Sequence, residues 1–443
     1  MNAEVTTIKT AAETALASAF NQARARLPGH DVISGQRKAA FDLFAREGLP
    51  HRRVEEWKYT DLRALMREAK PLASPPDAAA KARAKTAGKV LGDVETRRLV
   101  FVDGAFVPEL SDTAGLEPGL EVGSLADALS STAPLLDAHL GKLAPSSDIA
   151  VALNTALMGD GAVIRVGAGA TIERPIHLLF VASDNPAATF TRSLVVVGEG
   201  ARVMLIESHE GPAGSDYQVN SALELFVGEK AHVDHVKIIG EGAQALHVST
   251  LAAAVGAKAR FNDFTFTMGG AVVRNQMFLN FDGENTVAGI RGATLIKGHQ
   301  HADTTLVANH IARGCQSREV FKTILDDEAH GVFQGRISVR HGAQKTDAKM
   351  MTQALLLSDR AEADNKPELE IFADDVQCGH GATAGALDDE LKFYLMARGI
   401  PAAEAEALLI QAFLGEAIEG IEHAGLREAL MDQVAVWLKA RAS

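Results

Sequence analysis

The hexapeptide Gly198-Glu-Gly-Ala-Arg-Val203 is one copy of a motif that recurs through the middle of the chain. The same pattern, Gly-x-x-Ala-x-apolar, occurs at Gly167-Ala-Gly-Ala-Thr-Ile172, Gly228-Glu-Lys-Ala-His-Val233 and Gly256-Ala-Lys-Ala-Arg-Phe261. The first positions of these copies are separated by 31, 30 and 28 residues. A period between about 20 and 50 residues is typical of solenoids and propellers, in which each repeat is one supersecondary unit.

The residues between the copies favour a β-helix. They form short runs that alternate apolar and polar side chains, with Gly, Asp and Asn between them and little helical periodicity. Stacked coils with inward apolar ladders fit this pattern, and we expect the motif to form a tight corner where Ala is small enough and Gly permits a positive φ. Partial copies start at Gly283 and at Asp326-Asp-Glu-Ala329. A large β-sandwich with similar turns is the alternative, but it gives no reason for a near-constant period.

The segments on either side of the repeat are helical in character. A Pro/Ala/Lys-rich stretch, Ala69–Lys85, is interpreted as a linker, and Asp103-Gly104 between alternating runs predicts a β-hairpin. We expect the helical regions to cover the open ends of the solenoid and to offer docking surfaces. The predicted units are an N-terminal helical region with linker, a mixed α/β connection, the parallel β-helix and a C-terminal helical region, at residues 1–95, 96–146, 147–383 and 384–443.

Composition limits the function classes. The 443 residues include 44 Lys and Arg against 57 Asp and Glu, a net charge of −13, which disfavours nucleic acids and anionic membranes as partners. The first twenty residues lack a secretory apolar run, and no stretch approaches the ~18 apolar residues of a membrane helix, so we expect a cytoplasmic protein. Two cysteines, Cys315 and Cys378, cannot form a disulfide framework or supply the four thiolates of a self-contained iron–sulfur site.

The densest group of potential metal ligands is the segment Asp374-Asp-Val-Gln-Cys378-Gly-His380-Gly-Ala-Thr383. A thiol and an imidazole two residues apart on a strand face the same way, and both bind soft or borderline metals. The alternative is a Gly-rich turn that closes the last coil, with Cys378 as a small buried side chain. Two ligands do not complete a metal site, so further ligands would have to come from elsewhere, including another chain.

Other candidate groups are weaker. His299 and His301 would face the same side of a strand, but no third ligand lies near them in the sequence. The carboxylates of Asp326-Asp-Glu328 and Asp374-Asp375 raise the alternative of a carbohydrate-active β-helix enzyme. An aromatic content of 5% leaves few sugar-stacking platforms, so these acids are interpreted as solvated turn residues. No phosphate-binding loop is present in the sequence, so any dependence on ATP requires a partner.

The chain from His299 to Ile400 resembles the SufB/SufD family of iron–sulfur cluster assembly scaffold proteins. The resemblance is carried by QHADT, by SREVFKTILDDEAHGVFQGRISVRHGAQKTDA and by PELEIFADDVQCGHGATAGALDDELKFYLMARGIP. The N-terminal RRVEEWKYTDL is similar to a segment of the SufD branch, as is the motif that contains Cys378 and His380. The resemblance implies a central right-handed parallel β-helix between helical terminal regions.

The resemblance also implies a role without catalysis of its own. The β-helix would contact the paralogue SufB, and the C-terminal helical region would dock the ATPase SufC, whose movement rearranges the SufB contact. His380 is then the interface residue that holds iron or a nascent iron–sulfur cluster together with SufB, and Cys378 is a weaker candidate. Gly379 stands where Ser or Thr is frequent, which we expect to loosen the turn. The sequence leaves open a flavin on the complex, a homodimer of the isolated chain, and the choice between iron donation and scaffolding.

Overall fold

A computed structural model describes residues 9–29, 31–131 and 133–442. The first eight residues, which belong to the predicted N-terminal region and to the segment searched for a signal peptide, lie outside the described residues. The strands are β1 (Arg97–Val102), β2 (Ala105–Phe106), β3 (Leu120–Ser124), β4 (Ala162–Val166), β5 (Ile176–Val181), β6 (Ala188–Val197), β7 (Arg202–Glu210), β8 (Gln218–Val227), β9 (His232–Gly240), β10 (Leu246–Val255), β11 (Arg260–Thr267), β12 (Val272–Phe281), β13 (Val287–Ile296), β14 (His301–His310), β15 (Gln316–Leu325), β16 (His330–Val339), β17 (Asp347–Leu356), β18 (Glu362–Ile371) and β19 (Gln377–Ala386).

The strands form two facing sheets. One has ten strands in the order β19-β17-β15-β13-β11-β9-β7-β5-β1-β2, and the other has nine in the order β18-β16-β14-β12-β10-β8-β6-β4-β3. From β4 onward successive strands alternate between the sheets and every pair is parallel, which is the topology of a β-solenoid of about eight turns. The predicted parallel β-helix is confirmed, and the β-sandwich alternative is wrong.

Apolar side chains stack in ladders between the two sheets. Val197, Val227, Val255 and Phe281 occupy equivalent positions in consecutive strands of the nine-stranded sheet, and each is at most 4% exposed. Complete burial of such a side chain contributes roughly 1.5–3 kcal/mol. The near-constant period of the sequence is therefore the spacing that keeps each new coil in register with the ladder below it.

The repeated motif forms one row of corners, where each strand of the nine-stranded sheet leads into the ten-stranded sheet. The motif alanines Ala201, Ala231 and Ala259 are 1% exposed, and later turns place Thr286 and Cys315 at the same position. The predicted tight corner is confirmed, and so is the partial copy that begins at residue 283, between β12 and β13. Cys315 is a corner residue, and its thiol donates to the carbonyl of the preceding turn at 3.2 Å.

The expected role of the first motif glycine is wrong. The left-handed backbone belongs to the third motif position, with φ of 64° at Gly200 and 56° at Lys230. The first position is glycine because consecutive turns stack closely, and a Cβ on Gly283 would lie 1.8 Å from the nitrogen of Ala257. Each turn also bonds to the next, as when the Gly200 N–H donates to the Glu229 carbonyl at 2.8 Å.

Two further expectations are corrected. The partial copy Asp326–Ala329 lies between β15 and β16, in the opposite row of corners, so it is not an instance of the motif. The predicted linker, Ala69–Lys85, contains a capped helix, Ala78–Ala84, with two buried alanines. The hairpin at Asp103-Gly104 is present, and β1 pairs with β2 across it, since both turn residues adopt the left-handed conformation that such a tight turn requires.

The helices cover the faces of the solenoid, whereas the sequence suggested that they cover its ends. On the nine-stranded sheet, Leu246 and Val248 are covered by the N-terminal helices, by Trp57 and by the helix Ile149–Leu157. The last two helices pack on the ten-stranded sheet around Val236 and Phe264. No helix among the described residues is long and apolar enough to cross a membrane. The helices are α1 (Ala11–Ala23), α2 (Asp31–Glu47), α3 (Leu62–Leu65), α4 (Ala78–Ala84), α5 (Leu125–Leu129), α6 (Pro134–His139), α7 (Ile149–Leu157), α8 (Asp389–Met396), α9 (Ala402–Ile418) and α10 (Ala424–Ala442).

Candidate functional site

Cys378 and His380 lie on β19, the last strand of the ten-stranded sheet. In the parallel pairing with β17, Cys378 is opposite Ala348 and His380 is opposite Met350. Ala348 and Met350 belong to the core between the sheets, so the two candidate ligands continue its inward face into the final coil. Cys378 and His380 share this face because they are two residues apart, about 6.6 Å along the strand. The segment is therefore a strand and not the Gly-rich closing turn considered from the sequence.

The final coil is open. Among the described residues β18 pairs only with β16 and β19 only with β17, which leaves the outer edge of each sheet without a neighbour. His380 is consequently exposed, and Cys378 is half-buried against the core. Gly379 is also part of the strand, and a Cβ there would meet no atom within 4 Å. The expectation that this glycine loosens a turn is therefore wrong.

A cavity of about 420 Å³ surrounds the two candidate ligands. Its lining includes Arg318, Glu319 and Met350 in addition to Cys378 and His380. Glu319 lies in line with Met350 and His380 across three consecutive strands of the sheet. Glu319 was not among the site residues predicted from the sequence. The feature that could have indicated it is a carboxylate at an inward position in the otherwise alternating run SREVFKTIL.

The environment of the cavity raises the pKa values of two acidic groups, which favours their protonated forms. Burial raises the pKa of the Glu319 carboxyl to about 7. Burial, followed by the nearby Asp347 and Glu319 carboxylates, also raises the pKa of the Cys378 thiol. The thiol is therefore neutral at neutral pH, and a bound cation would release its proton. The cavity can thus exchange protons for a metal ion.

The other candidate residues from the sequence do not lie together in one site. His299 is exposed in a turn, 3.2 Å from Glu328, while His301 is buried at the start of β14 and bonds to Thr60 at 2.8 Å. The two imidazoles do not converge on a common point. Asp326 forms an ion pair with Arg441, and this contact attaches α10 to the solenoid.

The neighbouring acids have similar structural roles. Asp375 is in the turn before β19, and its carboxylate is 2.5 Å from the ammonium of Lys345. Its backbone N–H donates to the side chain of Gln344 at 2.9 Å. Asp374 is exposed in the same turn. These contacts link the last two corners of the row and bring no carboxylate into the cavity.

Two family models match the chain over most of its length. The description "SUF system FeS cluster assembly, SufBD core domain" matches residues 180–413, and "SufBD protein N-terminal region" matches residues 10–178. The first covers β6 to β19 and continues into α9, so it includes the open coil and its cavity. The second covers the N-terminal helices and the strands that begin the solenoid.

Individual relatives agree with the family models. The chain is 33% identical to an iron–sulfur cluster assembly SufBD family protein of Synechocystis over 90% of both chains. It is 31% identical to the iron–sulfur cluster assembly protein SufD of Escherichia coli, over 90% of this chain and 92% of the relative. The SufD protein of Bacillus subtilis is 27% identical over 64% of this chain and 65% of its own length. The chain therefore belongs to the SufBD family of iron–sulfur cluster assembly proteins.

Proposed function

We propose that this chain is the SufD-like, non-catalytic subunit of a cytoplasmic complex with SufB and the ATPase SufC. In this role it assists iron acquisition and cluster assembly at its contact with SufB. The observation that carries the proposal is the position of Cys378 and His380 on an unpaired edge strand, at the open end of the solenoid. A second β-helix that covers this end can complete both the sheet and the ligand set.

The chemistry of the cavity suits a metal cargo that is bound transiently. His380 offers an exposed imidazole, and Cys378 becomes a thiolate ligand once it loses its proton. Two protein ligands leave most of the coordination sphere of an iron ion to groups from the partner. Iron therefore binds well only when both chains are present, which couples cargo binding to assembly.

The C-terminal helical region supports the proposed SufC contact. On α8 the side chains of Leu391, Phe393, Tyr394 and Met396 are 51%, 72%, 54% and 44% exposed. Exposed apolar groups that cluster on one short helix mark interaction surfaces. ATP hydrolysis by a partner docked here would act on α8, which follows β19 directly in the chain.

The cargo proposal is tested by co-expression with SufB and SufC. His380→Ala should leave the three-protein complex intact, because the side chain is exposed, and should lower the iron bound per purified complex. His299→Ala is the matched control, since that imidazole is 83% exposed on a turn far from the cavity. Unchanged iron content and cluster assembly in His380→Ala would remove this residue from the site. Failure of the wild-type chain to co-purify with SufB would overturn the partner assignment.

The SufC contact is tested separately. Phe393→Asp should abolish co-purification with SufC and leave the melting temperature unchanged. Val32→Asp, at a side chain that is 68% exposed on α2, is the control and should retain SufC. Retention of SufC by both variants would exclude this face of α8 as the docking surface.

The geometry gives no support to the carbohydrate-active enzyme. Asp326 and Glu328 are engaged with Arg441 and Arg360, and Asp375 is engaged with Lys345. Carboxylates that are engaged with cations in corner ion pairs do not form the facing acid and base pair that a glycosidase needs.

A further inference from the structure

Three side chains of metal-binding type meet inside the solenoid, far from the open coil. His209 is near the end of β7, Glu241 directly follows β9, and His247 is near the start of β10. One candidate ligand atom from each residue lies within 4.8 Å of the other two. The side chains come from both sheets, and the rings of His209 and His247 meet edge to face with centroids 4.7 Å apart.

Two nitrogens in this group have no hydrogen-bond partner among the described residues. They are the Nε2 atoms of His209 and His247, and the two residues are 1% and 0% exposed. The Nδ1 of His247 is 2.8 Å from one oxygen of Glu241, and the hydroxyl of Tyr217 donates to the other oxygen at 2.5 Å. Nδ1 is the ring nitrogen of His247 that faces Glu241, so an ion shared by these two side chains would take the place of the proton between them. Buried polar atoms without partners are rare and point to a missing ligand.

The surroundings favour a cation. A cavity of about 20 Å³ lies against His209 and Glu241, which is room for a single water or ion. Glu210 lines the same cavity. Two carboxyl groups thus adjoin this space, and none of the described residues that line it is Lys or Arg.

We propose that His209, His247 and Glu241 form an internal site for one divalent transition-metal ion. Two imidazoles and one carboxylate are the protein ligands of many three-ligand zinc sites and of non-haem iron sites. A water would complete the coordination, and the Tyr217 hydroxyl holds Glu241 in place through its hydrogen bond. Because the ligands come from both sheets, the ion cross-links them and stabilises the solenoid. This structural role is independent of the cargo site at His380.

The small cavity is adjacent to a larger cleft. Gly104 and Thr189 line both the small cavity and an open cleft of about 460 Å³ on the outside of the solenoid. Among the described residues, this pair alone lines both spaces. The Cβ of Thr189 lies 3.2 Å from where a Cβ on Gly104 would be, so a larger residue at position 104 would crowd the wall between the cavity and the cleft.

The test uses the full-length chain and Zn²⁺ as the probe. The background variant carries Cys378→Ser, His380→Ala and His232→Asn, which remove the open-coil ligands and a second His/Asp/Glu group at residues 232, 234 and 422. After treatment with a chelator, Zn²⁺ is added to the folded protein and during refolding. Bound zinc is measured by mass spectrometry and the melting temperature by calorimetry. We expect one Zn²⁺ per chain and a rise in melting temperature of about 2 °C.

Matched substitutions identify the ligands. His209→Phe preserves the ring that stacks on Phe180 and should lose both the zinc and the stabilisation. His310→Phe is the control, because His310 is equally buried, contacts Phe281 and lies outside the group. It should bind zinc like the background variant.

Glu241→Gln keeps the shape and an acceptor for Tyr217, so it provides a second test if His209→Phe does not fold. Its zinc affinity should fall at least tenfold. The proposal is overturned if the background variant binds no zinc under either condition. It is also overturned if the folded ligand variants bind zinc as the background does.

Discussion

The guanidinium of Arg274 lies over the indole of Trp57, with its central carbon 4.0 Å from the ring centroid. The same guanidinium is paired with the buried carboxylate of Asp303 and donates to the backbone carbonyl of Glu56. Thr60 donates to Asp303 as well. The N-terminal segment that contains RRVEEWKYTDL is thus fixed to the nine-stranded sheet by one buried cation.

Removal of the Arg274 guanidinium should lower the free energy of unfolding. Arg274→Met leaves Asp303 buried without a positive partner, and breaking such a pair costs about 3–5 kcal/mol of unfolding free energy. Chemical denaturation followed by Trp fluorescence measures the loss, because Trp57 reports on the contact directly. Arg165→Met is the control, since Arg165 and Glu121 form an exposed pair worth less than about 1 kcal/mol. Equal losses in the two variants would contradict the assignment.

Two glycines should respond to substitution in opposite directions. Gly283→Ala forces the stacked turns apart, since the new Cβ would lie 1.8 Å from backbone, and we expect a loss of more than about 2 kcal/mol. Gly379→Ala adds a side chain in open space on a strand and should gain about 0.5 kcal/mol. Thermal melts of both variants beside the wild type measure the difference. A melting temperature for Gly283→Ala at or above that of the wild type would refute the packing argument.

Acid should destabilise the protein through His177. Burial, followed by the nearby Arg98, lowers the pKa of His177 to about 3, whereas the unfolded chain has the usual value of 6.5. Between these two values the unfolded state binds more protons than the folded state, so the free energy of unfolding falls as the pH falls through this window. At pH 4.5 the loss is about 2–3 kcal/mol relative to pH 7.5.

His177→Gln removes this titration and can still bond to the hydroxyl of Ser208, which is 2.7 Å from the imidazole in the wild type. Its melting temperature should therefore fall less than that of the wild type between pH 7.5 and pH 4.5. His299→Gln, at an exposed turn, should follow the wild type. An identical pH dependence in His177→Gln and the wild type would show that His177 does not carry the effect.

The two cysteines should behave differently. Cys315 holds the corner position that alanine holds in earlier turns, so Cys315→Ala should cost at most about 1 kcal/mol and leave iron binding by the complex with SufB intact. Cys378→Ser should leave the fold unchanged and lower the iron content if the thiol is a ligand. Denaturation and iron analysis of both variants distinguish a corner residue from a cargo ligand. Loss of iron in Cys315→Ala with full stability would contradict its structural role.

The sequence predicted the features that depend on local spacing. The period of the motif that includes Ala201 predicted the coil, and the two-residue spacing of Cys378 and His380 predicted their common face. Neither inference needed contacts between distant parts of the chain. The helical character of the C-terminal region was likewise predicted, and α8, α9 and α10 lie there.

Features that depend on register were not predictable. Glu319 reaches the candidate site only because the lengths of two intervening coils place it in line with His380. His209 and His247 meet across the two sheets, and no local pattern indicates which strands face each other. Composition likewise could not tell which row of corners holds Asp326, because both rows use small and acidic residues.

The open coil also bears on the amount of this chain that a cell can produce without aggregation. A sheet that ends in a free edge offers its backbone to any extended peptide, and natural sheets usually block such edges. Here the outer edges of β18 and β19 are unpaired in the described chain, so a copy made in excess over its partner would expose two strand edges that can pair with other chains. We therefore expect synthesis of the chain to be matched in stoichiometry to the protein that covers this end, with unmatched copies removed by aggregation or proteolysis.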